Sequence, residues 1–477
     1  MMYDIVIAGA GVIGGMLARE LSKYQLRICV LERENDVACG ASRANSGIIH
    51  GGYDPEPGTL KAKMNTAGVE KLYAAAEELC VPYRRNRSMV CAFGAQEDAT
   101  VEMLYRRGLE NGITDMEILT GEEAREIEPN LSENVSSVLH VKNAGIICPY
   151  QLTIAAIGNA MDNGAELKLN FEINKIEKTA AGFVVTSADG EQVTGKYLIN
   201  CAGTGSDLVA RLAGDDSFTI IPRAGEYLLM DKTEGSRVDH TIFQVPTADG
   251  KGILVTPTAD GNLLIGPTAK AVQGGNSTQT TPEGLTTVQG LALKSVPSVN
   301  LRSVITSFAG VRASVAGGDF IIGFSEKVEN LINVAAIDSP GLTCCVAIAE
   351  YVVSLMAQKG IAFVANAEFN PKRQDVHAFH KMSNTEKNAY IQQHPEFGKI
   401  VCRCEGISEG EILQALRMNP PARDVDGVKR RTRSGMGRCQ GGFCGPAVMK
   451  LIAQELGIHK EQVTKSGRGS EIVYGKR

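Results

Sequence analysis

The chain has 477 residues, 43% of them hydrophobic and 22% charged, which suits a globular protein of about three domains or one large discontinuous domain. A formal net charge of −5 argues against nucleic acid and against an anionic membrane surface as partners. The best candidate for a membrane span, Leu342 to Ala357, carries Glu350 and reads as a buried helix; the patterned chain starts at residue 3, so no leader and no direct membrane insertion is expected. The expected site is cytoplasmic, peripheral to a membrane only through a partner, and twelve cysteines there stay mostly thiols.

Tyr3 to Ala8 is a short β-branched run, expected as a buried strand. Gly9, Gly11 and Gly14 follow as G-x-G-x-x-G, with Val12, Ile13, Met16, Leu17 and Leu21 at helical spacing behind them. Leu26 to Leu31 reads as a second strand, ending on Glu32 and Arg33. Gly9 allows the tight turn, Gly11 lets backbone approach a pyrophosphate, and Gly14 lets helix and strand pack closely. The pyrophosphate is expected on the helix N-terminus, beside the backbone of Val12 and Ile13. Glu32 lies eighteen residues past Gly14, near the spacing at which a carboxylate holds a ribose hydroxyl. Strand and helix patterns go on alternating, so the expected class is α/β with a Rossmann-like dinucleotide domain.

Cys39 to Tyr53 (CGASRANSGIIHGGY) is a small-residue loop able to wrap a ligand, with Ser42, Asn45, Ser46 and the Gly47 backbone as candidate phosphate contacts. Here the chain resembles the FAD-dependent oxidoreductases of the D-amino-acid oxidase and glycerol-3-phosphate dehydrogenase superfamily. Ser46 to Gly52 is similar to the segment that glycerol-3-phosphate and L-2-hydroxyglutarate dehydrogenases lay along FAD. The resemblance implies His50 near the flavin ring; a histidine serving only the loop's own hydrogen bonds is the plainer alternative.

Leu60 to Leu79 is expected to be helical, Met89 to Ala92 a strand, and Glu97 to Gly112 and Gly121 to Ile127 surface helices, the last capped by Thr120. Gly145 to Thr153 leads into a helix from Gln151 to Asn163, and Pro149-Tyr150 resembles the superfamily's return to its FAD domain. Leu167 to Thr186 gives strands around a hairpin at Ala180-Ala181-Gly182, with Glu172 and Ile173 where the family packs adenine. Leu198 to Ser206 runs into a glycine loop whose Ala202 and Gly203 stand in the family's cofactor motif.

Ile221 to Met230 and Gly252 to Thr268 read as antiparallel strands, the second with a turn at Asp260-Gly261. They suit the family's inserted α+β substrate domain, a mostly antiparallel sheet. Arg223, Glu226 and Tyr227 are either rim residues or substrate contacts. Ser307 to Val311 is expected as a strand through Gly310 ending on Arg312, and the resemblance implies that this arginine binds the substrate anion, against the alternative of a structural salt bridge. Leu331 to Thr343 is a strand, a turn and a helix start; the family brings Asp338, Gly341, Leu342 and Thr343 near the flavin, where the helix dipole favours negative charge.

The superfamily resemblance covers residues 1–365, with dinucleotide-binding parts at about 1–80, 145–215 and 300–365 and substrate-domain parts at about 81–144 and 216–299. Residues 366–398 read as a polar connector, with His377 and His380 on its surface. Then Cys402-x-Cys404 is followed, after thirty-four residues, by Cys439-x4-Cys444. Four thiolates suit a [2Fe–2S] cluster, and C-x-C is tighter than the usual zinc knuckle. Ser408 can cap a helix Glu409 to Met418, Pro446 fits the start of another, Ala447 to Leu456, and the basic run Lys429 to Arg433 reads as extra positive charge or an ordinary solvated face. Residues 399–460 resemble the bacterioferritin-associated-ferredoxin-like domain, a small helical [2Fe–2S] unit, leaving 461–477 as a tail.

The two sites constrain each other. Alcohol oxidation by hydride loss releases two electrons and the cluster takes one, which favours FAD over NAD as the bound dinucleotide. The expectation is an FAD- and [2Fe–2S]-containing dehydrogenase acting on a small anionic secondary alcohol, sn-glycerol 3-phosphate first. His50 would take the hydroxyl proton, Arg312 would bind the anion, and an electron-acceptor subunit would receive the electrons. L-2-hydroxyglutarate, an amine or an amino acid are rival substrates. A non-catalytic electron-transfer or cluster-delivery protein, or a zinc site in place of the cluster, are the rival classes.

Overall fold

The computed structural model describes residues 2–246, 252–275 and 277–475. Its first sheet is built on parallel strands in the spatial order Glu166–Lys168, Ile28–Leu31, Met2–Ala8, Gln192–Asn200, Leu331–Ala335. Ile321–Phe324 pairs antiparallel at one edge, and the hairpin Ile173–Thr179/Gly182–Ser187 pairs along the first half of Gln192–Asn200. The apolar run Ile5 to Ala8 is continuous because both faces are covered. Ile5 and Ile7 join a core with the helices Val12–Leu21, Leu60–Glu78, Pro149–Asp162 and Gly341–Gln358. Val6 and Ala8 face Phe183, Val185 and Val209 on the other side. Gly341–Gln358 is, among the described residues, the one helix long and apolar enough to cross a membrane, and most of it is buried in this core.

The second sheet has nine strands and is antiparallel except where Thr241–Gln244 runs parallel to Ser88–Ala92. Helix Pro282–Ser295 contributes Val288 and Ala292 to its core. Val304–Ser314 lies in this sheet, paired along its length with Ile221–Met230, although its position in the chain suggested the dinucleotide-binding part. The hairpin at Asp260-Gly261 forms as expected, Gly261 taking the left-handed φ of +84°.

The C-terminal unit packs helices Glu409–Arg417, Val425–Thr432 and Gly445–Leu456 around Ile412, Val428, Val448 and Ile452. Ser408 caps the first of these with Glu411 in a reciprocal capping box. Pro446 sits in the first turn of the last, which begins at Gly445 with Cys444 as its N-cap. The basic run is not a solvated face. Arg430 and Arg431 are buried on Asp36 at 2.6 and 2.8 Å, and Arg433 reaches Glu405 at 2.8 Å and Asp260 at 2.6 Å. These pairs clamp the unit to the loop after Glu32 and to the second sheet. Nor is the stretch just after 460 a loose tail. Val463 is buried in the C-terminal core, and the Gly467 N–H donates to Asp424 at 3.0 Å. Of the connector histidines, His380 is exposed, but His377 is partly buried, its Nε2 3.0 Å from Gln151 Oε1.

Burial alone would raise the Asp36 carboxyl; Arg431 and Arg430 outweigh it and hold the pKa at about 2, against 3.8 when unperturbed. A carboxylate depressed in the folded state contributes stability above its unfolded pKa and loses it as the pH falls through the folded one. The depression corresponds to about 2 kcal/mol. The stability gap between wild type and Asp36→Asn is therefore expected to be full at pH 7 and to narrow as the pH falls from about 4 toward about 2. Urea unfolding across that range checks it; a gap independent of pH would remove the ion pair as its cause.

Candidate functional site

A cavity of about 1240 Å³ opens at the carboxyl ends of the parallel strands, where Ala8, Leu31, Cys201 and Ala335 line it. This is where open α/β sheets bind ligands, and the volume exceeds the roughly 300–1,000 Å³ of an ordinary small-molecule cleft. Gly9, with φ +106°, turns the chain at its floor; a Cβ there would stand 2.5 Å from the Cys201 carbonyl oxygen. Gly14 does not line the cavity; a Cβ on it would meet the Gly9 oxygen at 2.0 Å, so it serves helix–strand packing. At the helix start the Val12 N–H donates to Ser42 Oγ at 2.9 Å, and Gly11 and Ile13 line the wall.

Glu32 takes the Ala10 N–H at 2.8 Å and the Glu34 N–H at 3.0 Å. Burial raises its pKa and these two N–H groups oppose the rise. Arg33, Phe171, Glu172 and Ile173 line the same end, and Arg33 also pairs with Glu34 at 3.0 Å on the surface. Ala202 and Gly203 line the cavity between this end and the loop Cys39 to Tyr53. Asn45 is spent within that loop: it donates to Ala41 O at 2.9 Å and accepts the Gly47 N–H at 2.8 Å. It shapes the wall that Ser46 and Gly47 form.

The far end lies under the second sheet. Arg223, Gly225 and Tyr227 stand opposite Arg312, Gly310 and Phe308. Room for the Arg312 side chain comes from Gly225, where a Cβ would be 3.0 Å from Nη2. Gly310 lets the loop close onto the sheet; a Cβ there would fall 1.8 Å from the Ala44 oxygen. Tyr227 stacks on Phe308 at 4.8 Å and reaches Ser46 Oγ at 3.3 Å. Arg223 and Tyr227 line the cavity, whereas Glu226 turns away to accept the Thr281 N–H at 3.2 Å.

His50 faces this end. Its Nε2 is 3.2 Å from Ser339 Oγ, its N–H donates to Thr343 Oγ1 at 2.9 Å, and its carbonyl accepts Asn65 Nδ2 at 2.8 Å. Ser314, two residues past Arg312, donates to Asp338 at 2.9 Å, so the arginine strand and the histidine loop are tied to adjacent residues, Asp338 and Ser339. Gly341 and Leu342 bring the helix N-terminus to the cavity. Thr343 lies behind the His50 loop and does not line the cavity, so its part is to hold that loop. Lys61, Phe243 and Ser339 also line the site. Sequence reasoning passed over Lys61 and Phe243, which carry no motif; Ser339, in the turn just before the helix start, could have been found.

In the C-terminal unit, Cys404 Sγ and Cys439 Sγ are 3.6 Å apart, and Cys402 lies beside Cys444. Cys402 and Cys444 are buried, Cys404 is exposed and Cys439 is between. The Phe443 N–H, with those of Gly441 and Gly442, lowers the pKa of Cys439, while burial pushes Cys444 up to about 11. Among the described residues no three His, Cys, Asp or Glu side chains close on one point as a single ion requires; the four thiols group two and two. Inward from them, Met436 Sδ accepts the Tyr150 hydroxyl at 3.5 Å.

Both sites fit cofactors. The glycine cradle, the buried ribose-side carboxylate and the helix N-termini suit FAD, and four thiolates among backbone N–H groups suit [2Fe–2S]. The family described as FAD dependent oxidoreductase matches residues 4–355, and that described as BFD-like [2Fe-2S] binding domain matches residues 400–454. A glycerol 3-phosphate dehydrogenase of Caloramator mitchellensis is 44% identical over 475 residues, covering 99% of this chain and 98% of that protein. A glycerol 3-phosphate oxidase of Mycoplasma genitalium is 32% identical over 365 residues, 75% of this chain and 95% of the other. The dithionite-reduced L-alpha-glycerophosphate oxidase of Mycoplasma pneumoniae, with FAD bound, superposes with a TM-score of 0.74 at 31% identity, covering 78% of this chain and 98% of its own. The chain belongs to the FAD-dependent oxidoreductase family and carries a BFD-like [2Fe–2S] binding domain at its C-terminal side.

Proposed function

We propose that this enzyme oxidises sn-glycerol 3-phosphate to dihydroxyacetone phosphate and passes the electrons to an acceptor protein. The observation that carries this is the pair Arg223 and Arg312, directly opposite one another across two strands at the cavity end that His50 faces. Both arginines line the cavity there, and two planar forks of donors on one wall match the several oxygens of a phosphate dianion better than a lone carboxylate.

With the phosphate held by the arginines, the secondary hydroxyl reaches His50, whose imidazole takes the proton as the C–H bond breaks. Ser339 Oγ and the backbone ties to Thr343 and Asn65 fix the ring. The Gly341–Gln358 dipole favours the negative charge that builds up at its N-terminus. FAD bound in the glycine cradle would supply the hydride acceptor, and a [2Fe–2S] cluster on Cys402, Cys404, Cys439 and Cys444 would supply a one-electron relay. Residues 1–365 do the oxidation and 399–460 hold the cluster. Any attachment to a membrane runs through the acceptor protein.

The deciding experiment is an anaerobic absorbance series. Glycerol 3-phosphate is expected to bleach the flavin band and then the cluster band; L-2-hydroxyglutarate, glycine and L-proline are not. Bleaching by one of those at lower concentration would reassign the substrate, and a cluster without bleaching by any would leave an electron-transfer protein.

Arg312→Lys keeps the charge but loses the planar fork. Losing one charge-assisted hydrogen bond costs about 1.5–3 kcal/mol, so kcat/KM for glycerol 3-phosphate should fall roughly 10- to 150-fold. Most of the loss should appear in KM, since the phosphate is remote from the reacting carbon. Steady-state kinetics with an unchanged KM would take Arg312 out of phosphate binding.

A further inference from the structure

The cluster site is built asymmetrically. Cys402 and Cys444 sit in the apolar core, while Cys404 opens to solvent with Cys439 3.6 Å away. Phe443, whose N–H faces Cys439, is 90% exposed, more than any other large apolar side chain among the described residues. Beside the two outer cysteines stand Arg403 and Arg438, both exposed, and Lys450 is exposed in the second turn of the helix that Cys444 caps. None of the three makes an ion pair among the described residues, whereas Arg430, Arg431 and Arg433 are all spent on internal carboxylates. A positive rim around one bare aromatic ring thus stands out on a chain of net charge −5.

We propose that this rim is the docking surface for an acidic one-electron carrier protein, with Phe443 as its apolar anchor and Arg403, Arg438 and Lys450 as its charge partners. The proposal rests on the oxidation proposed above. Each encounter moves one electron from the reduced cluster to the oxidised carrier, and two encounters clear the pair released by one alcohol. Charge complementarity commits the occupant: a small acidic protein is steered to the rim, and a basic one is repelled.

The test uses cofactor-loaded protein, oxidised rubredoxin as the acidic carrier, basic cytochrome c as its opposite and a neutral quinone as the control acceptor. In stopped flow the bimolecular rate with rubredoxin is expected to fall steeply with salt. Arg403→Glu/Arg438→Glu should lower it about tenfold or more at low salt, flatten its salt dependence and speed the reaction with cytochrome c. Bleaching by glycerol 3-phosphate, cluster absorbance and quinone turnover should not change. Phe443→Ser should slow rubredoxin while leaving the salt slope as it was. If the charge reversals shift only the cluster's midpoint potential and leave the rubredoxin rate and its salt slope intact, the arginines merely balance cluster charge and the proposal falls. It falls as well if light scattering finds a dimer that Phe443→Ser dissociates. Failure of glycerol 3-phosphate to bleach wild type would instead count against the substrate reading, since rubredoxin can be tested on chemically reduced protein.

Discussion

His50→Ala is expected to slow flavin bleaching by glycerol 3-phosphate about 10²- to 10⁴-fold, the range over which a positioned general base accelerates proton transfer. The loss should fall on this step because the bonds that hold the loop in place are made by the residue's backbone, while the ring meets Ser339 and Phe243 at the cavity wall. The N–H is held by Thr343 and the carbonyl by Asn65, and alanine keeps both bonds. The loop should therefore keep its shape, and FAD should stay bound at wild-type stoichiometry. Added imidazole should restore part of the rate. Anaerobic stopped flow, with flavin content read from absorbance, decides the matter: an unchanged rate would remove His50 from the chemistry, and loss of FAD would make it a structural residue of the loop.

The double variant Cys404→Ser/Cys439→Ser should abolish turnover with protein acceptors altogether. The two substitutions take away the solvent-facing ligands but leave Cys402 and Cys444 in the apolar core, so the C-terminal helices keep their packing. Iron analysis should find none, while one equivalent of glycerol 3-phosphate should still bleach the flavin at the wild-type rate. Full turnover with rubredoxin in the iron-free variant would show that electrons leave by another route.

Local patterns were legible in the sequence; long-range pairings were not. The segment Tyr3 to Glu32 reads correctly because strand, turn and helix are adjacent in the chain and each glycine has a local reason. The cysteine spacing is legible for the same reason. What escaped depends on register. Val304–Ser314 joins the second sheet only because it matches Ile221–Met230 residue for residue, and that match sets Arg223 opposite Arg312. Nothing local to residue 226 says that its carboxylate will turn to Thr281. The run Lys429 to Arg433 reads only as extra positive charge or a solvated face because its partners Asp36 and Asp260 are more than 170 positions away. Asn45 has the chemistry of a phosphate ligand but is consumed by its own loop.

Ser466 lines the wall of the dinucleotide cavity, and Gly467 rests on Asn35 at the ribose end. This bears on biogenesis. A ribosome makes the first 365 residues well before residue 466 emerges, so the nascent nucleotide cleft lacks that piece of wall while synthesis continues. Until that segment settles, the cleft stays open on the side where Ser466 will stand, which leaves a path for the vitamin-derived coenzyme to enter.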